Sequence, residues 1–339
     1  MHEAVLYDKL PANRVRCRLC ARLCEIRDGQ RGVCGVRENR GGTLLTLVYG
    51  RAVAVHVDPV EKKPLFHFQP GSRTFSLATV GCNFRCQHCQ NWEISQFGHL
   101  HRGAPIPGQP LAPAAIVEAA LESGCTSVSY TYTEPTIFME YAADTAHVAR
   151  RRGLKNVFVT NGYLTPAAVD LIAPVLDAAN VDVKGLREEV MKREIKARPG
   201  PVLDCLRRLK ERGVWVEATT LVIPGVNDSD DELGGIARFL AELDRDLPWH
   251  VSAFHPDYRL RDHPRTPHST IDRAVAIGER AGLRYVYSGN VWDSDGESTR
   301  CAECHALCLE RHGFTVGRIG MAGGKCRRCG APIAGVDMP

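Results

Sequence analysis

No stretch of the chain approaches the roughly 18 consecutive apolar residues that a membrane-spanning helix requires, so no membrane contact is expected. The opening residues, Met1 to Cys17, lack the basic-then-apolar pattern of a secretory leader, and the expected location is cytoplasmic. Charge of one sign is scarce too. The 43 basic and 39 acidic side chains leave a net +4, with nothing more clustered than pairs such as Arg207–Arg208. Nucleic-acid-binding surfaces concentrate basic charge and interleave it with stacking aromatics, which here make up only 7% of residues. Nucleic acid is therefore not an expected partner. Internal repeats and low-complexity segments are absent, and 44% hydrophobic residues in 339 make an ordinary globular chain, enough for one barrel-sized α/β domain with appendages or for two domains.

Cysteine, by contrast, is abundant: there are fourteen. A reducing compartment disfavours disulfides, so closely spaced thiols there point to metal. Twelve fall in three clusters: Cys17, Cys20, Cys24 and Cys34; Cys82, Cys86 and Cys89; and Cys301, Cys304, Cys308, Cys326 and Cys329. Cys125 and Cys205 stand alone and read as small buried hydrophobes.

The clusters divide the chain into three parts. Residues 1–66 form a Cys-rich N-terminal extension, in which the β-rich runs 44–49 and 52–57, separated by Gly50-Arg51, read as a hairpin. From 67 to 290, apolar strands alternate with amphipathic helices. Candidate strands are Thr74–Thr79, Ser127–Tyr132, Asn156–Thr160, Val181–Lys184, Trp215–Val222, His250–Phe254 and Arg284–Tyr287, and candidate helices include Ala112–Ser123 and Ser229–Leu243. Such alternation implies parallel βαβ units, in a complete or open barrel or a doubly wound sheet. In each of these layouts chemistry gathers at the carboxyl ends of the strands. Residues 291–339 are rich in Gly and Cys and too short for a core, so the reading gives them a metal staple.

The central cluster, Gly81-Cys82-Asn83-Phe84-Arg85-Cys86-Gln87-His88-Cys89, directly follows the first candidate strand. Three thiolates on one short loop suit three irons of a [4Fe–4S] cluster and leave the fourth iron open. The alternative is zinc completed by His88 or a distant residue, but structural zinc usually draws its ligands in two pairs. The spacing CxxxCxxC, with an aromatic-type residue before the last cysteine, resembles the signature of the radical S-adenosylmethionine (radical SAM) superfamily.

Further segments follow the same resemblance on successive strand ends. Tyr130-Thr131-Tyr132-Thr133-Glu134-Pro135 is similar to the motif that binds the methionyl ammonium, which would make Glu134 its anionic partner; by itself Glu134 is a solvated loop acid. Thr160-Asn161-Gly162 resembles the segment that contacts ribose or carboxylate, and is otherwise a turn. Asp182-Val183-Lys184-Gly185 is similar to a segment of the glycyl-radical activating enzymes, where Lys184 could equally form an ion pair. Leu221 to Asp228 resembles the stretch that packs on adenine, although a Pro-Gly turn before a capped helix explains it as well. His255, in Phe254-His255-Pro256, resembles a strand-six histidine near the cofactor. The resemblance implies a partial (β/α)6 TIM-like barrel with Glu134, Asn161, Lys184 and His255 as cofactor contacts.

The segment Asp58 to Phe68, together with the Cys17–Cys34 block, narrows the resemblance to the subgroup around pyruvate formate-lyase activating enzyme, and within it to the AmmeMemoRadiSam-system enzymes. That resemblance implies reductive cleavage of S-adenosylmethionine at a [4Fe–4S] cluster. The product is a 5′-deoxyadenosyl radical that abstracts hydrogen from a substrate, small molecule or peptide, that the sequence does not specify. A flavodoxin or ferredoxin is implied as electron donor, and a pathway link to Memo-family and AMME-region-family proteins is suggested. The runner-up is an activating enzyme that installs a glycyl radical on a partner protein. From another class comes a non-catalytic zinc protein that binds RNA or a partner.

The flanking clusters are read from spacing. Cys301-x2-Cys304 and Cys326-x2-Cys329 are two knuckle pairs 21 residues apart, matching a four-thiolate zinc ribbon; an auxiliary iron–sulfur cluster would use the same ligands. Cys308 is then a spare, because structural zinc closes at four, or a ligand if the register differs. Cys17-x2-Cys20-x3-Cys24-x9-Cys34 suits zinc or a second iron–sulfur cluster, and its spacing does not choose between them.

Overall fold

The structure is a computed structural model that describes residues 2–291 and 295–339. Position 1 and positions 292–294, which fall in the expected N-terminal extension and C-terminal module, lie outside the described residues. The chain forms two compact, discontinuous units. The first takes residues up to Asp58, Arg73–Ala179 and Gly200–Val214; the second takes Pro59–Ser72, Asn180–Pro199 and Trp215–Pro339.

In the first unit, three strands built almost wholly of buried residues run parallel: β1 (Arg73–Ala78), β2 (Ser127–Tyr130) and β3 (Lys155–Thr160), with Ser127 opposite Thr74 on one side and Lys155 on the other. Strands covered on both faces read as continuous apolar runs, so their few polar groups must be satisfied internally. Accordingly, the Thr74 hydroxyl lies 2.6 Å from Ser129 Oγ. The helix Pro113–Glu122 turns Ile116, Val117 and Ala120 inward, and Met139–Arg151 follows β2.

The N-terminal segments differ from expectation. The hairpin read at 44–49 and 52–57 does not form. Instead Arg37–Arg40 pairs with Thr43–Thr46 across Gly41-Gly42, while Arg51–Ala52 pairs with Gln109–Pro110 and Ala54–Pro59 lies beside β1. A type I′ hairpin turn needs positive φ at both central positions, and Gly41 and Gly42 supply it. Beneath this sheet, Arg37 and Glu140 are each 2% exposed and form a two-pronged ion pair (2.8 and 3.2 Å); Val5 N–H donates to the same carboxylate.

The boundary between the units falls inside β4 (Ala178–Asp182). The second unit carries β5 (Trp215–Val222), β6 (Trp249–Ala253) and β7 (Val286–Gly289), again parallel, with helices Asp230–Leu243 and His268–Arg280 between them. Ser229 caps the first of these helices, accepting from Glu232 N–H, above an Asp-rich first turn that suits the positive end of the helix dipole.

The Cys-rich tail folds as an antiparallel sheet of Thr299–Arg300, Leu307–His312 and Thr315–Ile319, followed by a small ribbon, Met321–Ala322 with Lys325–Cys326. The expectation that it lacks a core is corrected. Cys301, Cys308, Leu309, Met321 and Ile333 share one with Phe66, Tyr285 and Tyr287, because the short tail places its apolar side chains against aromatic ones already anchored in the unit. A hydrogen-bond relay reinforces the contact. Arg311 donates to Thr299 Oγ1 (2.7 Å), and Thr299 and Tyr287 hydroxyls lie 2.8 Å apart. Tyr287 reaches His67 Nε2 at 2.5 Å, and His67 Nδ1 meets the Ala334 carbonyl at 2.6 Å. A neutral ring that donates from Nδ1 and accepts at Nε2 satisfies every member. Burial lowers the His67 pKa to about 4, consistent with a neutral ring. Among the described residues, no helix is long and apolar enough to cross a membrane.

Candidate active site and metal centres

The first unit brings together three strand ends. β1 leads through Thr79 and Val80 into the loop that carries Cys82, Cys86 and Cys89. There Phe84 N–H points at the Cys82 sulfur (3.3 Å), and Cys89 Sγ lies 3.1 Å from Ser95 Oγ. The Cys82 thiol is pushed well above the usual thiol range, first by burial and then by the neighbouring negative potential of Glu134, Cys86 and Cys89. Three thiols and a carboxylate therefore share one electrostatic neighbourhood. Phe84 packs edge-on against Tyr163, their ring centres 5.1 Å apart, and fixes the floor of the loop.

β2 and β3 reach the loop through Glu134 and Asn161. Glu134 is not the solvated acid of the plain reading. It is buried, and its carboxylate accepts from Thr136 N–H (3.0 Å), Thr136 Oγ1 (2.5 Å), Thr160 Oγ1 (2.7 Å) and Asn161 N–H (2.8 Å). Burial raises its pKa, and these donors oppose the rise, the Asn161 amide first. Three of the four bonds fall on Oε1, so Oε2 retains an acceptor direction beyond Asn161. Asn161 in turn donates from Nδ2 to Asn83 Oδ1 at 2.7 Å and lies 3.8 Å from the Cys82 sulfur. Asn91 Nδ2 donates to the carbonyl of Tyr132, a residue held at φ 61°.

The other two expected contacts belong to the second unit. Lys184, just past β4, pairs with Asp182 (3.0 Å), and its carbonyl accepts from Asn227 Nδ2 (3.0 Å). Asn227 also accepts from Ile223 N–H at 2.7 Å, which shapes the Pro224-Gly225 turn. His255 is half-buried just past β6, next to Phe254, which packs with Ile223, Val226 and Leu260.

In the tail, the ligand atoms of Cys301, Cys304, Cys326 and Cys329 all lie within 4.8 Å of one another, with Cys301–Cys329 and Cys304–Cys326 sulfurs 3.5 and 3.7 Å apart. Tetrahedral zinc–thiolate bonds of about 2.3 Å need this kind of spacing. Cys308 is fully buried in the adjoining core. At the other end of the chain, Cys17, Cys20, Cys24 and Cys34 line a single cavity. Cys125 and Cys205 are buried.

Sequence reading missed the residues that connect these parts. Asn83 lies in plain view within the cysteine loop, yet nothing in its spacing marks it as the acceptor for Asn161. Arg22, which donates from Nε to the Asn83 carbonyl (2.9 Å), and the Arg37–Glu140 pair are joined over separations that carry no local pattern.

A family model for the Radical SAM superfamily matches residues 76–240. The chain is 45% identical over 336 residues to protein MJ0808 of Methanocaldococcus jannaschii, a match that spans 98% of this chain and 99% of that one. It is 22% identical over 235 residues to the pyruvate formate-lyase 1-activating enzyme of Escherichia coli K12, covering 64% of this chain and 93% of that enzyme. Among solved structures, a radical SAM methyltransferase from Sphaerobacter thermophilus has a similar fold, with a TM-score of 0.50 and 18% identity over 71% of each chain.

Proposed function

Because the chain belongs to the radical SAM superfamily, whose members are enzymes that use a [4Fe–4S] cluster and S-adenosylmethionine, we propose that Cys82, Cys86 and Cys89 hold that cluster at the end of β1. One observation carries the reading: the three thiols sit on one loop, and the Cys82 thiol lies in the field of the other two and of Glu134. The donor set fits, since three soft thiolates leave one iron for a small-molecule chelate. When bound, the cluster and S-adenosylmethionine supply reductive cleavage chemistry that ends in hydrogen abstraction from a substrate.

The chain's own residues bind and orient. Glu134 offers Oε2 to the methionyl ammonium while its other bonds hold the ends of β2 and β3 in place. Asn161 keeps the cysteine loop in register with β3 and turns its amide toward the Cys82 sulfur. Lys184 and His255, carried by the second unit, are assigned to S-adenosylmethionine by the resemblance of their strand ends alone. A partial (β/α)6 barrel is our reading of the architecture, supported by the parallel β1–β3 and β5–β7 triplets. Cys301, Cys304, Cys326 and Cys329 are read as a structural zinc site in a Cys-rich module.

A low-potential donor such as flavodoxin or ferredoxin completes the scheme, and a reducing cytoplasm suits a chain whose cysteines are all free. The substrate is a small molecule or peptide. A second reading, an activating enzyme acting on a glycine of a partner protein, is favoured by the 22% identity to the E. coli activating enzyme and by a 24% identical M. jannaschii relative named as a putative glycyl-radical enzyme activating enzyme. Family membership weighs against the non-catalytic zinc reading. Anaerobic reconstitution tests the proposal: the protein should turn brown and, with dithionite and S-adenosylmethionine, release 5′-deoxyadenosine. A colourless, zinc-only protein that forms none overturns it.

A further inference from the structure

We propose that Cys17, Cys20, Cys24 and Cys34 hold a second [4Fe–4S] cluster, fully ligated by the protein, behind the loop of Cys82 to Cys89. Sequence spacing left these four open between zinc and an iron–sulfur cluster, and their arrangement in space favours the cluster. All four line one cavity. Among the described residues, however, only the tail tetrad brings its sulfurs within 4.8 Å of one another, the spacing that a single ion imposes. The N-terminal set does not close this far, and neither do Cys82, Cys86 and Cys89, the loop read above as a cluster site. A cubane binds each thiolate through a different iron, so its ligands stand apart around a common body. Two thiol sets in this chain have that looser form, and one has the tight form of zinc.

The local chain folds to gather the thiols around that cavity. Cys17 ends the strand Arg14–Cys17, and its N–H donates to the Cys24 carbonyl at 2.9 Å. The turn between them is closed by Leu23 N–H on the Cys20 carbonyl (3.0 Å). Cys20 and Cys34 both lie within electrostatic reach of Cys17 and Cys24. Cys34 arrives on the next loop, where Gly35 meets Gly98 backbone to backbone, and a Cβ on either would sit 2.6 or 2.7 Å from the other's Cα.

A second, independent observation points to an anionic occupant. Three buried nitrogens of residues lining this cavity find no hydrogen-bond partner: Arg22 Nη2, Arg37 Nε and Asn83 Nδ2. Arg37 and Asn83 are 2% and 0% exposed. Leaving buried donors unmade is costly, and three around one hole call for an acceptor there. Neutral thiols are weak acceptors. In the assembled site the four thiols release their protons to solvent and bind a core of two ferrous irons, two ferric irons and four sulfides. The whole carries a net −2, and its sulfurs accept from these donors and face the arginine charges. The site also has a place in the architecture. Asn83, which follows Cys82 in the chain, lines this cavity and receives Asn161 from β3. The two clusters would thus stand on either side of one residue.

Iron, acid-labile sulfide and zinc measured on the full-length protein after anaerobic reconstitution test the inference. About eight iron and eight sulfide per chain are expected, four of each from either cluster. Cys24→Ala should lose about four of each and leave zinc unchanged. Cys82→Ala loses the first cluster and its absorbance, and should keep about four iron on the N-terminal set. A Cys24→Ala protein that keeps its full iron or loses zinc in its place, or a Cys82→Ala protein without iron, overturns the proposal. Should Cys24→Ala prove insoluble, electron paramagnetic resonance of the dithionite-reduced, unsubstituted protein serves instead. S-adenosylmethionine should shift one cluster signal and leave a second unmoved, because four thiolates leave no iron open; a single signal that shifts whole overturns the proposal. Iron lost in Cys24→Ala reports on this site and 5′-deoxyadenosine lost in Cys82→Ala on the other, so the two proposals fail separately.

Discussion

Asn161 Nδ2 donates to Asn83 Oδ1 at 2.7 Å, tying the end of β3 to the middle of the cysteine loop. Both residues are buried, so the bond is shielded from competing water. Asn161→Ala leaves a buried acceptor without its donor, at a cost of about 1–3 kcal/mol, and frees the loop from β3. We expect a matching loss in urea denaturation and a drop of roughly tenfold or more in 5′-deoxyadenosine formation, each tenfold corresponding to ~1.4 kcal/mol. Undiminished formation would show that the clamp does not matter to the chemistry.

Single replacements of Cys82, Cys86 or Cys89 by Ala should abolish both the cluster's visible absorbance and the release of 5′-deoxyadenosine. Zinc content should not change, and circular dichroism should stay close to that of the parent. Cleavage that survives any of the three substitutions would remove that residue from the ligand set.

Arg37 and Glu140 form an ion pair that has left water entirely. Removing one partner strands the other charge. Arg37→Met should cost about 3–5 kcal/mol in chemical denaturation, and the double variant Arg37→Met/Glu140→Leu should recover a large part of it. A single variant as stable as the parent would mean that the pair adds nothing.

His67 gives the second unit a pH dependence whose sign is fixed by its burial. Its pKa falls from 6.5 to about 4 on folding, so the unfolded chain takes up a proton that the folded protein refuses. Stability is full above about 6.5, declines as pH falls toward about 4, and loses on the order of 3 kcal/mol across that window. Burial pushes the Glu217 pKa upward, but hydrogen bonds from His250 (2.7 Å) and from the Phe66 N–H (3.0 Å) help hold it below the usual carboxylate range, which adds a further loss at lower pH. Urea denaturation of the parent and of His67→Gln across this range checks the assignment: the variant should be weaker at neutral pH and show a flatter profile. Parallel profiles would exclude His67.

If the tail cysteines hold the proposed zinc, its removal should be felt in the aromatic core, because Cys301 and Cys326 share a cluster with Tyr285 and Tyr287. A chelator is expected to reduce the near-ultraviolet circular dichroism of these tyrosines and lower the unfolding temperature. Affinity should weaken toward acid, since the ligands bind as thiolates. A silent aromatic spectrum would mean that the core stands without the metal.

What the sequence determined by itself was local or periodic. Alternating apolar strands and amphipathic helices announced parallel βαβ units, and β5 begins and ends at the expected residues. The CxxxCxxC loop and the paired CxxC knuckles carry their chemistry in short spacings that a linear reading can measure. Hairpin register escaped because two glycine-containing turns competed and either is compatible with a tight turn; the chain closes at Gly41-Gly42, both at positive φ. Tertiary structure alone decided the rest. That Glu134 is buried and bonded by Thr136, Thr160 and Asn161, that Arg37 finds Glu140 a hundred residues away, and that the tail borrows Phe66 and two tyrosines for its core are outcomes of packing. Hydrogen bonds and burial join side chains by distance in space, and nothing in the residues themselves records which distant partner closure of the chain will supply.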